Sequence, residues 1–305
     1  MCGIAGSLWF STEGDYNRPD AREMLSLLMH RGPEMAGIYE DALVSLAHAR
    51  LSIVDLNGGL QPLCDESGDI WAICNGEFYN YLELRNDLIQ RGHRFRTQSD
   101  TEVLIHLYEE LGCSAVAALN GEFAFVIWDA KRRELLLGRD RMGVHPLFYS
   151  LHHGYLLFAS EIKAILAGGA TARIDSRTIA QVFTTWSPLV GQTMFHGIFE
   201  VPPAHILQMS ASESAPKLTA YWTLDFADST RRLDEDGQFS DCVEQVREAL
   251  MAAVRIRMRA DVPVGTYLSG GLDSSAITSI ARLHTRGPLH TFSIAFSDPE
   301  FDESD

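Results

Sequence analysis

The sequence predicts an α+β sandwich over its first two-thirds and, after a break, the start of an α/β doubly wound parallel-sheet domain. Three observations carry this expectation. Short apolar runs alternate with turn signals from residue 1 to about 200, proline, serine and charge then cluster between about 201 and 235, and beyond that the apolar period becomes helical.

Taken in order, "DIWAICNG" (69–76), "GEFAFVIWD" (121–129), "RELLLGRD" (133–140) and "GYLLFASE" (154–161) read as strands. Two helices interrupt them, one over roughly Tyr81 to Arg91 and one over roughly Thr101 to Leu111, whose Val103, Leu104, Leu107 and Leu111 form one stripe. The break is "VPPAH" at 201–205, the polar "SASESAPK" and the charged "DSTRRLDEDGQ". It divides the chain into a first domain at 1–205, a linker at 206–235 and a second domain at 236–305. That domain opens on a helix with Phe239, Val243, Val246, Leu250 and Val254 on one face. The strand "VPVGTYL", the loop "SGGLDSS", a helix to about Arg286 and the strand "LHTFSIAF" then make a βαβ unit. Two strands cannot complete a parallel sheet, so the chain reads as part of a longer polypeptide. The tetrapeptide "NGEF" occurs twice, at 75 and at 120.

Composition narrows the function. A formal net charge of −16 with no long basic cluster argues against a nucleic-acid surface. The apolar run Gly3 to Phe10 is about half the length of a spanning helix and has no basic leader, so neither a signal peptide nor a membrane partner is expected. The five cysteines (Cys2, Cys64, Cys74, Cys113 and Cys242) form no CxxC pair, which argues against a disulfide framework and a zinc site and fits a reducing cytoplasm. Free cysteines and an acidic surface are also compatible with a homodimer.

Removing Met1 would leave Cys2 with both a thiol and a free α-amine. An α-amine ordinarily titrates at roughly 7.7 to 8.0, so nucleophile and general base would share one residue. On the residue alone, a small apolar side chain opening a strand is the commoner case. The surrounding motifs, in order, are "MCGIAG", "HRGPE" (30–34), "HARLSIVD" (48–55), "NGEFYNY" (75–81), "SDTEV" (99–103), "GRDRMGVHPLFY" (138–149) and "FASEIKAI" (158–165). Together they resemble the glutaminase domain of class II glutamine amidotransferases of the asparagine synthetase type. The resemblance implies the four-layer α+β sandwich of N-terminal-nucleophile hydrolases.

It further implies that Cys2 attacks the amide of glutamine and that the Asn75 side chain and the Gly76 N–H hold the oxyanion. Read alone, either "NG" is a hairpin turn, and the residues do not choose between the copies. The family pattern selects Asn75 and leaves Asn120 as a turn into a core strand. By the same resemblance Arg50 takes the glutamine carboxylate, Asp100 and Glu77 take the ammonium, and backbone at Leu51 and Ile53 assists. Ser99 to Glu102 also reads as a capping box, and Arg50 by itself as a surface charge. His30 and His48 read as structural. Glu34 stands where the family usually has aspartate, and Ala204 where glycine commonly follows the proline pair.

"SGGLDSS" (269–275) lies between a strand and a helix, where backbone N–H groups bind phosphate. It lacks the lysine of a GxxxxGK[ST] loop, which excludes a Walker-type NTPase. It resembles the pyrophosphate loop of ATP pyrophosphatases. The implied ligands are the ATP phosphates on Ser269, Gly270, Gly271, Ser274 and Ser275, Mg²⁺ on Asp273, and adenosine near backbone at Leu268 and Ile294. The whole resemblance implies a ligase in which glutamine-derived ammonia amidates an ATP-activated acid, with aspartate as the first candidate acceptor. Two alternatives stand beside it: an amidotransferase of the same architecture with a different carboxylic acid, and a glutamine-binding fragment or regulatory paralogue that makes no product.

Overall fold

The protein is described by a computed structural model covering residues 1–10, 18–225, 236–298 and 300. It divides into two compact units, Met1–Leu224 and Asp225–Asp305. The first unit begins β1 (Gly3–Trp9), α1 (Ala21–Ser26), β2 (Met35–Glu40), β3 (Val44–Arg50), β4 (Leu63–Cys64) and β5 (Ile70–Phe78). It continues α2 (Tyr81–Gln90), α3 (Asp100–Leu111), a 3₁₀ turn (Gly112–Ser114), α4 (Ala115–Ala118), β6 (Gly121–Asp129) and β7 (Glu134–Arg139). It closes with β8 (Phe148–His152), β9 (Tyr155–Ala159), α5 (Ile162–Ala167), α6 (Ser176–Thr185), β10 (Ile198–Glu200), β11 (His205–Ser210) and β12 (Lys217–Ala220).

The strands form two antiparallel sheets, ordered β10-β8-β9-β1-β3-β2 and β12-β11-β7-β6-β5-β4. The apolar run of β6 shows why they stack. Ala124, Val126 and Trp128 point toward the other sheet, where they meet Ile4, Leu8, Val44 and Leu46. Phe123, Phe125 and Ile127 point the other way, onto Val103, Leu104 and Leu107 of α3 and Leu88 of α2. A strand buried on both faces has no polar alternation to show, and its sequence has none. On the far side, Met24 and Leu25 of α1 and Ile165 of α5 cover Ala5, Ala47, Leu157 and Ala159. The result is helix, sheet, sheet, helix, the four-layer sandwich expected. Burying each Val, Ile or Phe of these cores contributes about 1.5–3 kcal/mol.

Two expectations need correction. Beyond the two helices read from the sequence, the unit contains α1, α4, α5 and α6. The first three have six, four and six residues, too short to display a period, while α6 is a ten-residue helix with Asp175 capping the N–H groups of Arg177 and Thr178. The stretch 206–235 is also not a linker from its start. In it β11 pairs with β7 and β12 pairs with β11, and the polar "SASESAPK" mostly forms the turn between the two. Residues 226–235 lie outside the described residues.

In the second unit α7 (Asp236–Arg257) is followed by β13 (Gly265–Tyr267), α8 (Leu272–His284) and β14 (His290–Phe292). Strands β13 and β14 pair in parallel, as a βαβ unit requires. On the α7 stripe Val254 is buried, and Phe239, Val243, Val246 and Leu250 are exposed.

Candidate active site

Cys2 lies at the mouth of a pocket whose other walls come from the ends of β3, β5 and α3. The carbonyl of Cys2 accepts a bond from Arg31 Nε at 2.8 Å, and Arg31 is itself tied to Glu161 at 3.0 Å. The thiol sits against the Leu51 backbone, with its Sγ 3.4 Å from the amide N and 3.5 Å from the carbonyl O. Burial pushes the Cys2 thiol up, against smaller opposing effects from the Leu51 N–H, the N-terminal charge and Arg50. At neutral pH it is therefore a thiol that needs a base. Met1 also lines the pocket, so a free α-amine on Cys2 requires its removal.

Asn75 and Gly76 lie within β5, not in a hairpin turn. Cys74 fixes the strand there: its N–H donates to Gln61 Oε1 at 2.6 Å and its carbonyl meets His48 Nε2 at 3.0 Å. Asn75 is fully buried, yet neither Oδ1 nor Nδ2 has a partner. An orphaned buried amide costs about 1–3 kcal/mol per group, which is tolerated where a ligand supplies the missing bond. Gly76 has φ +141°, and a Cβ there would stand 2.1 Å from the Glu122 carbonyl oxygen, so no other residue fits. The two "NGEF" copies pair with each other across β5 and β6, setting Glu77 opposite Glu122.

Arg50 ends β3 and is buried, with Nη2 donating to the carbonyls of Val54 at 2.9 Å and Asp55 at 2.6 Å. Asp100 opens α3, and its carboxylate accepts from the Phe78 N–H at 2.9 Å. Burial pushes its pKa up to about 6, although the Phe78, Thr101 and Asp100 N–H groups and Arg50 favour the charged form. Burial, then the charges of Asp100 and Glu122, raise Glu77 to about 7. The expected capping box forms only in part. Ser99 Oγ accepts from the Thr101 N–H at 3.3 Å, but Glu102 accepts from the N–H groups of Arg96 and Thr97 and does not reach back to Ser99.

Leu51 and Ile53 also line this pocket, which thus gathers every residue the sequence assigned to the first site. It further contains Val54, Gln61, Ser99, Thr101, Glu122 and His145, which sequence reasoning did not single out. A signal existed for all but Gln61, since Val54 belongs to "HARLSIVD", Ser99 and Thr101 to "SDTEV", Glu122 to the second "NGEF" and His145 to "GRDRMGVHPLFY". His30 and His48 are not in the lining; His30 pairs with Glu161, and buried His48 is held near pKa 4 by desolvation.

Residues 1–222 match the family described as glutamine amidotransferase domain. The chain belongs to the glutamine amidotransferase family. Residues 245–305 of this amidotransferase also match the asparagine synthase family. Asparagine synthetase [glutamine-hydrolyzing] 3 of Bacillus subtilis is 42% identical over 98% of this chain and 48% of its own length. Amidase chry2 of Gibberella zeae is 38% identical over 92% and 42%. Asparagine synthetase B of Escherichia coli is 35% identical over 92% and 45%. The chain thus spans about half the length of these curated relatives. Among solved structures, the glutamine phosphoribosylpyrophosphate amidotransferase of B. subtilis superposes with a TM-score of 0.53 at 20% identity, covering 95% of this chain and 65% of that one. That likeness concerns the fold alone. Among the described residues no helix is long and apolar enough to cross a membrane.

In the second unit of the amidotransferase, "SGGLDSS" joins β13 to α8, with Gly271 as the helix N-cap and Gly270 at φ +85°. Ser269, Gly270, Gly271 and Asp273 are exposed. Ser274 Oγ stands 3.1 Å from Ser269 Oγ and 3.0 Å from the Gly271 carbonyl. Leu268 donates its N–H to Phe292 at 2.9 Å, and Ile294 follows β14 by two residues, so both lie at the carboxyl ends of the paired strands. This donor set, a helix N-terminus with serine hydroxyls and one exposed carboxylate, fits a polyphosphate with a magnesium ion.

Proposed function

We propose that the Met1–Leu224 unit hydrolyses glutamine to glutamate and ammonia with Cys2 as nucleophile. The observation that carries this reading is Asn75, a buried amide with no partner at either polar atom, in one pocket with the Cys2 thiol, Arg50, Glu77 and Asp100. Glutamine supplies what each lacks: a carboxylate for Arg50, an ammonium for Asp100 and Glu77, and an amide carbonyl between Cys2 and Asn75. Once Met1 is gone, the Cys2 α-amine takes the thiol proton and sulfur attacks the amide carbon. The oxyanion is held by Asn75 Nδ2 and the Gly76 N–H, and the proton returns to the departing nitrogen as ammonia leaves. Water then cleaves the thioester to release glutamate.

For the whole protein we propose a glutamine-dependent asparagine synthetase, in which this ammonia amidates aspartate activated by ATP. Both the match of residues 245–305 to asparagine synthase and the loop before α8 support it. Asp273 would hold Mg²⁺, and the serines with the α8 N-terminus would bind the phosphates. A second reading keeps the same architecture with a different carboxylic acid as acceptor; its support is that relatives at 38% and 37% identity carry the name amidase and not asparagine synthetase. The test of the first reading is ammonia release from glutamine by the purified protein, with intact mass confirming loss of Met1. Release should be abolished by Cys2→Ala; equal release by that variant would exclude Cys2 as nucleophile.

A further inference from the structure

Among the pocket groups that the proposed hydrolysis does not use is a histidine. His145 is 3% exposed, and neither ring nitrogen has a hydrogen-bond partner. Across the pocket Glu122 places its Oε1 3.7 Å from Nε2. The ring is not loosely placed. Buried Asp140 accepts from the N–H groups of Phe123, Met142, Val144 and His145, and Arg139 Nε donates to the His145 carbonyl at 2.8 Å. A loop braced in this way aims its side chain by construction.

The charge pattern of the pocket shows what such a residue can do. Its titratable and charged groups are the N-terminal amine and the Cys2 thiol before β1, Arg50 at the end of β3, Glu77 on β5, Asp100 on α3 and Glu122 on β6, besides His145 itself. Three are carboxylates, and Glu77 and Glu122 stand directly opposite in the β5–β6 register. Like charges so placed disfavour each other, and a substrate ammonium can offset only part of the excess. Resting on the proposed glutaminase reading, we infer that His145 is a positioning residue for glutamine: its Nε2, 3.7 Å from Glu122 Oε1, holds that carboxylate and so limits its effect on Glu77, the group opposite it that meets the substrate ammonium.

The test is the pH profile of glutaminase activity for the full chain and for His145→Gln, Glu122→Gln and the double variant. His145→Gln removes the partner of Glu122, so the acid limb of kcat/KM should move up by about 1 pH unit, with KM for glutamine near pH 6.5 rising about tenfold and kcat within about twofold. Glu122→Gln should move the limb down. The double variant should return it close to wild type, because the group that His145 holds is gone. Superimposable profiles, or a double variant that keeps the His145→Gln shift, would overturn this inference alone. A pH-independent loss of kcat in His145→Gln would reduce the residue to a structural role. Absence of ammonia release by the processed wild type would overturn the reading of the site, and this inference with it.

Discussion

At the residue scale, the site is built from groups held in states that water would not favour. Asn75 keeps two unpaired polar atoms in a fully buried position. If they serve the oxyanion, Asn75→Ala should lower kcat by about 100 to 1,000-fold while changing KM far less, as read from steady-state ammonia release. Glu77 illustrates the energetic side. Its folded pKa, about 7, lies above the ordinary 4.5, so the ionised form is disfavoured in the fold. That strain is fully present above pH 7 and disappears as pH falls toward 4.5, where the folded protein takes up the proton first. Glu77→Gln should therefore stabilise the free protein by about 1–2 kcal/mol at pH 8 after allowance for solvent screening, with no gain below pH 4.5, in urea unfolding. The same variant should bind glutamine less tightly. The choice of Asn75 over Asn120 was beyond the residues themselves. What separates them is that Asn75 sits mid-strand in the pocket while β6 begins just after Asn120, a distinction made by tertiary pairing and absent from "NG".

At the element scale, legibility follows length and period. The run "AFVIW" declares β6 because it is apolar without interruption, and α3 declares itself by its stripe of Val103, Leu104 and Leu107. By contrast α1 and α5 span fewer than two turns, and β12 is a mostly exposed edge strand whose residues resemble a loop. Ala204 is a local mismatch of sequence and backbone. It holds φ +59°, where glycine is at ease, because its N–H bonds to the Asp140 carbonyl and its own carbonyl receives the Tyr221 N–H. Ala204→Gly should raise stability by about 1 kcal/mol, seen as a higher urea midpoint with unchanged slope.

At the scale of the whole molecule, the boundary between units decides what can be cut. Ending the chain at 205 would remove Ile206, Leu207 and Met209, all nearly fully buried, and expose the edge of β7. Losing three such side chains costs about 5–9 kcal/mol, comparable with the whole stability of a domain. A 1–205 fragment is expected to be insoluble or unfolded, whereas a 1–224 fragment should give one cooperative transition and retain ammonia release. The sequence hid this because a proline pair followed by a serine-rich tract is what a linker looks like, and only the ladder from β7 through β11 to β12 marks it as sheet.

The way Cys2 is held has a consequence for chemical selectivity. A half-buried thiol, raised in pKa and resting on the Leu51 backbone, offers little thiolate to a small neutral alkylating agent, which meets the equally half-buried Cys64, Cys113 and Cys242 on comparable terms. On the proposed reading an electrophile carried on an α-amino-acid frame would be different, because Arg50, Glu77 and Asp100 would concentrate it beside the one sulfur whose own amine, once Met1 is removed, would activate it. The pocket would then work as an address label, and covalent probes shaped like glutamine are expected to single out Cys2 among five cysteines.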